Sequence, residues 1–393
     1  MNPRSLVTAL LVFLAVLPAP GGPRGTSPAP GELDAAIERL EEELRRAGSD
    51  GLRARIEQGL ADVLVLRARA ADRRENDPLR AEQLYERALA LRPDHLAARV
   101  ELAWLEVRED HLDRALDLAL TGLATNPGDG WLLELVGEVH YRRNRLADAV
   151  EALRAAAAAR PDDPSLRRRL EKVERDLAAE RNYSRADSQH FVLRFDGERD
   201  DRLGGILLDE LERAWDDLAD ELDAWTREPV TVILYTNRQF HETTRTGAEV
   251  AGLFDGKIRL PVGGIERITP AVRRVARHEL VHALLHAKGR GHVPRWLHEG
   301  LAQLLEPRDP ATVNRALSLA ARRGRALSIV PFTYPTSLSF TAFLDREAGR
   351  HRLLWFVELL AEGRPEPQAF LEAFGWSMEE AERRWRESLQ APS

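Results

Sequence analysis

The sequence predicts an N-terminal all-α repeat region followed by a C-terminal α+β domain. Three observations lead to this fold class. Prolines and small residues recur every 34 positions in the first half of the chain. Strand-like alternation begins only after residue 181, and helical spacing dominates again after residue 270. A series of similar helices, then strands and then helices is typical of two separately packed regions.

The first 21 residues have the pattern of a secretory signal peptide. Arg4 precedes an apolar run from Leu6 to Leu17, and Pro18 to Gly21 ends that run. The alternative is an uncleaved N-terminal membrane anchor, although the run is shorter than a typical span. Either interpretation predicts an exported protein, periplasmic or extracellular. Residues 22–50 are expected to form a flexible leader and a first helix.

Composition limits the classes of partner. The 393 residues are enough for two cores, with 44% hydrophobic residues, 31% charged residues and a net charge of −7. Acidic and basic residues are interleaved, so no basic surface for nucleic acid and no polybasic segment for anionic lipid is expected. There is no cysteine, which excludes disulfides and cysteine-ligated zinc. A bound metal would need histidine and carboxylate ligands.

Three columns of prolines or small residues repeat between residues 51 and 180. They are Pro93, Pro127 and Pro161; Ala81, Ala115 and Ala149; and Ala88, Gly122 and Ala156. Small residues let paired helices approach closely, and proline ends the second helix of each pair. The pattern resembles the tetratricopeptide repeat. The resemblance implies a solenoid that binds a protein partner or substrate; a generic alanine-rich helical bundle is the alternative.

The C-terminal region mixes strand and helix patterns. His190–Phe195 alternates as a strand, Leu203–Trp225 has helical spacing, and Val230–Tyr235 is typical of a buried strand. Leu253–Leu260 is predicted to be a turn leading into a further strand. We hypothesise that the Lys257–Leu260 part of it is a sheet edge to which an extended peptide could pair.

The segment His278-Glu279-Leu280-Val281-His282 lies on a helix predicted to begin at Pro270. Histidines four positions apart point from one helix face and can bind the same metal ion. From its position beside them, the Glu279 carboxylate can remove a proton from a metal-activated water without being a ligand. A solvated helix face that carries two histidines is the alternative.

A third ligand is available in a second predicted helix. Glu299 lies 17 residues after His282, within Pro294–Ala302, and a turn containing Gly289 and Gly291 separates the two helices. This arrangement resembles the gluzincin site, in which a glutamate from a second helix joins two histidines and leaves one position open. Together with the strands, residues 186–393 resemble the peptidase MA-like domain, which implies a zincin-like metallopeptidase fold.

The resemblance assigns roles to individual residues. His278, His282 and Glu299 are implied to bind Zn2+, and Glu279 is implied to be the general base. Gluzincins commonly steady the oxyanion with a tyrosine or histidine, which makes Tyr334 a candidate catalytic residue; packing is the alternative. Gln303 occupies the position at which thermolysin-like enzymes place an aspartate that orients a histidine.

Two functions are compatible with these patterns. The first is zinc-dependent hydrolysis of a peptide or protein substrate, with the repeats recruiting a partner or substrate. The second is an envelope-associated repeat scaffold with a catalytically idle zinc domain, in contact with a membrane only if the signal segment is uncleaved. Glu279 favours the enzyme, because a structural zinc site has no need of an unligated carboxylate.

Overall fold

The computed structural model describes most of the chain after the leader. The described residues are 28–75, 77–246, 251–262, 265, 267–289, 291–306, 310–323, 327–329, 331 and 333–390, without the side chains of 198–201. The predicted signal peptide, 1–21, lies outside them. The chain divides into two compact units, one formed by the residues up to Val107 with His111–Leu135, the other by Arg108–Asp110 with the residues from Val136 onward. The predicted domain boundaries stay predictions.

Helices joined by short turns make up the described part of the chain before residue 181. They are α1 (Pro30–Arg46), α2 (Asp50–Ala70), α3 (Pro78–Leu91), α4 (Leu96–Arg108), α5 (Leu112–Thr125), α6 (Gly130–Arg142), α7 (Leu146–Ala159) and α8 (Pro164–Glu180). A π-helical turn, Ala71–Glu75, follows α2. The predicted all-α character of this region is therefore confirmed.

The columns of small residues lie where helices pack most closely. All five alanines of the columns are fully buried: Ala81, Ala88, Ala115, Ala149 and Ala156. A Cβ at Gly122 would lie 2.5 Å from Leu132 Cδ1, and one at Gly137 would lie 2.7 Å from Leu153 Cγ. The recurring residues are small because a larger side chain would push the helices apart.

Five strands form the sheet in the described part of the second unit. They are β1 (Tyr183–Asp187), β2 (Phe191–Asp196), β3 (Val230–Leu234), β4 (Leu253–Phe254) and β5 (Ile258–Leu260). Their order is β1-β2-β3-β5-β4, with β2, β3 and β5 parallel and the two outer strands antiparallel to their neighbours. The strands predicted at His190–Phe195 and Val230–Tyr235 are confirmed.

The hypothesis that Lys257–Leu260 forms a sheet edge is wrong. β5 lies between β3 and β4, so the short strand β4 is the edge of the described sheet. Gly256 causes this arrangement: its φ of 92° reverses the chain after Asp255 and folds β4 back along β5. We refer to Leu253–Leu260 as the edge hairpin.

Helices cover the sheet and complete the C-terminal region. They are α9 (Gly197–Leu222), α10 (Asn237–Thr244), α11 (Pro270–Gly289), α12 (Arg295–Leu304), α13 (Pro310–Arg322), α14 (Tyr334–Ala348), α15 (Arg350–Ala361), α16 (Glu366–Phe374) and α17 (Met378–Gln390). Leucines of α9 and α11 share one apolar core with β2, β3 and β5. This confirms the α+β class. Among the helices that the structure describes, none is both long and apolar enough to cross a membrane.

A buried polar network joins β5 to α8. The Arg259 guanidinium, 1% exposed, donates to Asp176 Oδ2 at 2.7 Å, to the Tyr141 hydroxyl at 2.9 Å and to the Tyr235 hydroxyl at 2.6 Å. The Tyr235 hydroxyl in turn donates to Glu180 Oε1 at 2.9 Å. Removing one charge from such a network leaves its partners buried and uncompensated.

We predict that Arg259→Gln lowers the free energy of unfolding by about 3–5 kcal/mol, the cost of breaking a buried ion pair. Urea unfolding followed by circular dichroism measures this change. The matched control is Arg185→Gln, since the Arg185–Asp187 pair is more than half exposed and contributes little. Equal losses in the two variants would contradict a stabilising role for the network.

Candidate metal centre

Two helices bring three ligand atoms together. His278 and His282 lie on α11, and Glu299 lies on α12. The Nε2 atoms of the two imidazoles are 3.1 Å apart, and Glu299 Oε2 lies 3.7 Å and 3.8 Å from them. Ligand atoms about 2.0 Å from a tetrahedral ion are separated by about 3.3 Å, close to these values. The sequence-predicted ligands therefore form one cluster that could hold a metal ion.

The cluster fits a cation because the Glu299 carboxylate faces two imidazole nitrogens without a hydrogen bond to either. Glu299 Oε2 is buried and has no hydrogen-bond partner among the described residues. An unpaired buried carboxylate oxygen is costly, and the two facing imidazole nitrogens can share at most one proton. A cation would compensate all three atoms at once. Two imidazoles and one carboxylate are ligands that suit zinc.

Further side chains orient both imidazoles. His278 Nδ1 donates to Glu306 Oε1 at 2.6 Å, and His282 Nδ1 lies 3.2 Å from His298 Nδ1. A hydrogen bond at Nδ1 fixes the ring and leaves the Nε2 lone pair for a metal. The sequence interpretation missed Glu306. The available signal was its position seven residues, or about two helical turns, after Glu299.

Gln303 does not take the place of the orienting aspartate. Its Nε2 donates to the backbone carbonyls of Glu299 and Tyr334, both at 3.0 Å, and its side chain is buried. It therefore ties α12 to the beginning of α14. Glu306 supplies the carboxylate that position 303 lacks.

Glycine at position 300 allows α12 to pack against α14. A Cβ there would lie 2.9 Å from the Ser337 carbonyl oxygen and would collide with the Thr341 hydroxyl. On the other side of α12, Arg277 Nε donates to the Leu305 carbonyl at 2.9 Å, which links α11 to the end of α12. These contacts fix Glu299 opposite the two histidines.

Glu279 is buried beside the ligands, under the edge hairpin. Burial raises the pKa of its carboxyl to about 7, although the positive charge of His278 opposes the shift. The Phe254 backbone N–H donates to this carboxylate. Gly252 lets the chain pass close to it, because a Cβ there would lie 2.7 Å from Glu279 Oε1.

The electrostatics of the cluster favour one positive charge. Burial disfavours the imidazolium of His278, but the carboxylates of Glu299 and Glu306 outweigh burial and raise its pKa to about 9. Burial and the neighbouring charge on His278 hold the pKa of His282 far below its usual range. His282 is thus neutral, as a metal ligand must be.

The cluster opens into a cavity of about 680 Å³. Glu279, the turn of the edge hairpin, Arg295 and Tyr334 line the cavity together with the ligands. Tyr334, which begins α14, is 53% exposed at its rim, and partial burial raises the pKa of its hydroxyl. Its predicted role at the oxyanion stays a prediction. His286 and His298 also line this cavity.

The comparison with protein families gives a match in the repeat region. The tetratricopeptide repeat family matches residues 73–130. This match supports the predicted repeats, and such repeats generally mediate binding of protein partners. A search of curated proteins finds no match for this chain.

We predict that Glu306→Gln weakens zinc binding by about 10- to 100-fold, the usual effect of losing an orienting carboxylate. Competition with a chromophoric chelator measures the zinc affinity. Glu362→Gln, which alters a largely exposed carboxylate, is the control and should bind zinc like the wild type. Unchanged affinity in Glu306→Gln would show that the negative charge of Glu306 is not needed, since the amide oxygen can still accept from His278 Nδ1.

Proposed function

We propose that the protein is a zinc-dependent metallopeptidase of the gluzincin type, with a zincin-like C-terminal domain related to the peptidase MA-like domain. One observation carries the proposal. The convergent atoms of His278, His282 and Glu299 share an open cavity with the unligated carboxylate of Glu279. A purely structural metal site is normally closed and has no such carboxylate.

In this proposal, His278 and His282 hold zinc through Nε2, and Glu299 holds it through Oε2. Bound zinc supplies Lewis acidity that polarises the scissile carbonyl and makes water more acidic. Glu306 and His298 keep the imidazoles in the tautomer that leaves Nε2 free.

Glu279 is the proposed general base. Its carboxylate takes a proton from the water whose oxygen bonds to the carbonyl carbon. It then gives that proton to the amine nitrogen as the carbon–nitrogen bond breaks. The hydrogen bond from the Phe254 N–H and the close approach of Gly252 hold the carboxylate in place.

The edge strand β4 is the proposed guide for the substrate. It borders the cavity, and since the Phe254 N–H is engaged by Glu279, an extended peptide would pair with the remaining backbone groups of this edge. Tyr334, at the rim, is the proposed donor to the developing oxyanion. Because main-chain hydrogen bonds do not depend on the side chains of the substrate, this edge suits peptide substrates of varied sequence.

The repeat region is proposed to recruit a protein partner or the substrate itself. The family match at residues 73–130 supports a binding role. It supports this role equally in the alternative function, an envelope-associated scaffold with an idle metal domain. The proposed location outside the cytoplasm rests on the signal pattern in residues 1–21.

We predict that Glu279→Gln retains zinc and loses peptide hydrolysis by about 10²- to 10⁴-fold, the usual contribution of a general base. The amide keeps the shape of the side chain but cannot accept the proton. Zinc content is measured by atomic emission, and cleavage is measured on casein and on a mixture of quenched fluorescent peptides.

The matched control is Glu242→Gln, since Glu242 also follows a histidine but is mostly exposed on α10. It should cleave like the wild type. Cleavage retained in Glu279→Gln would remove this residue from the mechanism. No cleavage by the zinc-loaded wild type would favour the scaffold.

A further inference from the structure

The edge hairpin contacts the metal site on one face and helix α8 on the other. Successive side chains of a strand point to opposite faces of the sheet. Phe254, Ile258 and Leu260 pack into the core that includes α11. Asp255, Lys257 and Arg259 instead make polar contacts with α6, with α8 and with the turn after α6, and Asp255 Oδ1 also accepts from Arg259 Nε at 3.1 Å.

On the face toward the candidate metal site, the edge hairpin contacts the Glu279 carboxylate. The Phe254 N–H donates to Glu279, and Asp255 and Gly256 line the cavity. The Phe254 ring also lies edge-on to His286, with 5.7 Å between centroids. A shift of this backbone would change both the orientation of Glu279 and the strand along which a peptide would lie.

On the opposite face, the side chains at positions 255, 257 and 259 hold the hairpin through ion pairs and hydrogen bonds. Lys172 Nζ of α8 lies 2.6 Å from Asp255 Oδ2. Lys257 Nζ donates to Asn144 Oδ1 at 2.6 Å and lies 3.9 Å from the centre of the Tyr141 ring. The next position, Arg259, donates to α8 as described above.

The contacts of Lys257 and Arg259 are buried, whereas the Lys172–Asp255 pair is partly exposed, with 34% and 21% of the two side chains accessible. Lys257 and Arg259 are each 1% exposed, so their ammonium and guanidinium groups depend on α8 and the α6–α7 turn for compensation. Asn144 adopts the left-handed conformation, with φ of 54°, and its amide nitrogen donates to Glu180 Oε2 at 3.1 Å. The turn is therefore fixed to α8 as well as to Lys257.

We propose that α8 and the α6–α7 turn are positioning elements of the metal site, and that Lys172 is a positioning residue that acts through Asp255 on the edge strand. The proposal rests on the proposed function for its catalytic consequence. If so, the end of the repeat region is needed for the site. Residues 186–393 alone would lack α8 and the α6–α7 turn, which position the edge hairpin.

The test is charge reversal at Lys172. Lys172→Glu sets two carboxylates against each other, which should displace the hairpin turn and raise KM for a peptide about tenfold, with zinc content unchanged. Backbone hydrogen exchange across Leu253–Leu260 should accelerate about tenfold in the same variant. Lys172→Arg, which keeps a positive charge opposite Asp255 and leaves the Asp255–Arg259 pair in place, should leave KM and exchange close to the wild type. Lys172→Met, which removes the attraction without repulsion, should give a smaller change in the same direction.

Arg168→Glu is the matched control, because it reverses an exposed charge one turn earlier on α8. It should leave KM and exchange unchanged. Hydrogen exchange separates the two proposals. A wild type without peptidase activity contradicts the enzyme, while faster exchange in Lys172→Glu but not in Lys172→Arg still supports positioning. Unchanged exchange in Lys172→Glu and Lys172→Met, or equally fast exchange in Lys172→Arg and Lys172→Glu, overturns the positioning role.

Discussion

The close approach of α11 and α12 is the constraint on which the site depends. It brings the buried Oε2 of Glu299 within 4 Å of two imidazole nitrogens and leaves it without a hydrogen-bond partner among the described residues. Folding must compensate such an atom elsewhere, and the tight packing of Gly300 on α14 helps to hold it in place. A bound cation would turn this unfavourable arrangement into a stabilising one.

The surroundings of the cluster follow from that constraint. Glu306 contacts Nδ1 of His278, and His298 contacts Nδ1 of His282. These contacts orient the rings so that their Nε2 atoms face each other. The edge hairpin closes the remaining side over Glu279, and α8 fixes the hairpin through Arg259 and Asp176. The candidate metal site and the end of the helical region are thus packed together, because they contact the two faces of a single hairpin.

The local parts of this arrangement could be predicted from the sequence. Two regular patterns follow directly from helix geometry. They are the spacing of four between the histidines and the recurrence of small residues every 34 positions. Glu299 was found because it follows the motif on a second helix. The edge strand was misplaced because β4 is two residues long and shows no alternation. Glu306 was missed because it lies just beyond the end of α12. The burial of Arg259 has no sequence signature, since charged residues are usually exposed.

X-ray absorption at the zinc K-edge of the loaded protein tests the central claim most directly. The account predicts scattering from two imidazole rings with zinc–nitrogen distances of about 2.0 Å, together with oxygen from a carboxylate. In Glu299→Ala the imidazole scattering should persist while the carboxylate contribution is lost. A shell of oxygen atoms alone, with no imidazole scattering, would contradict the assignment of His278 and His282 as ligands.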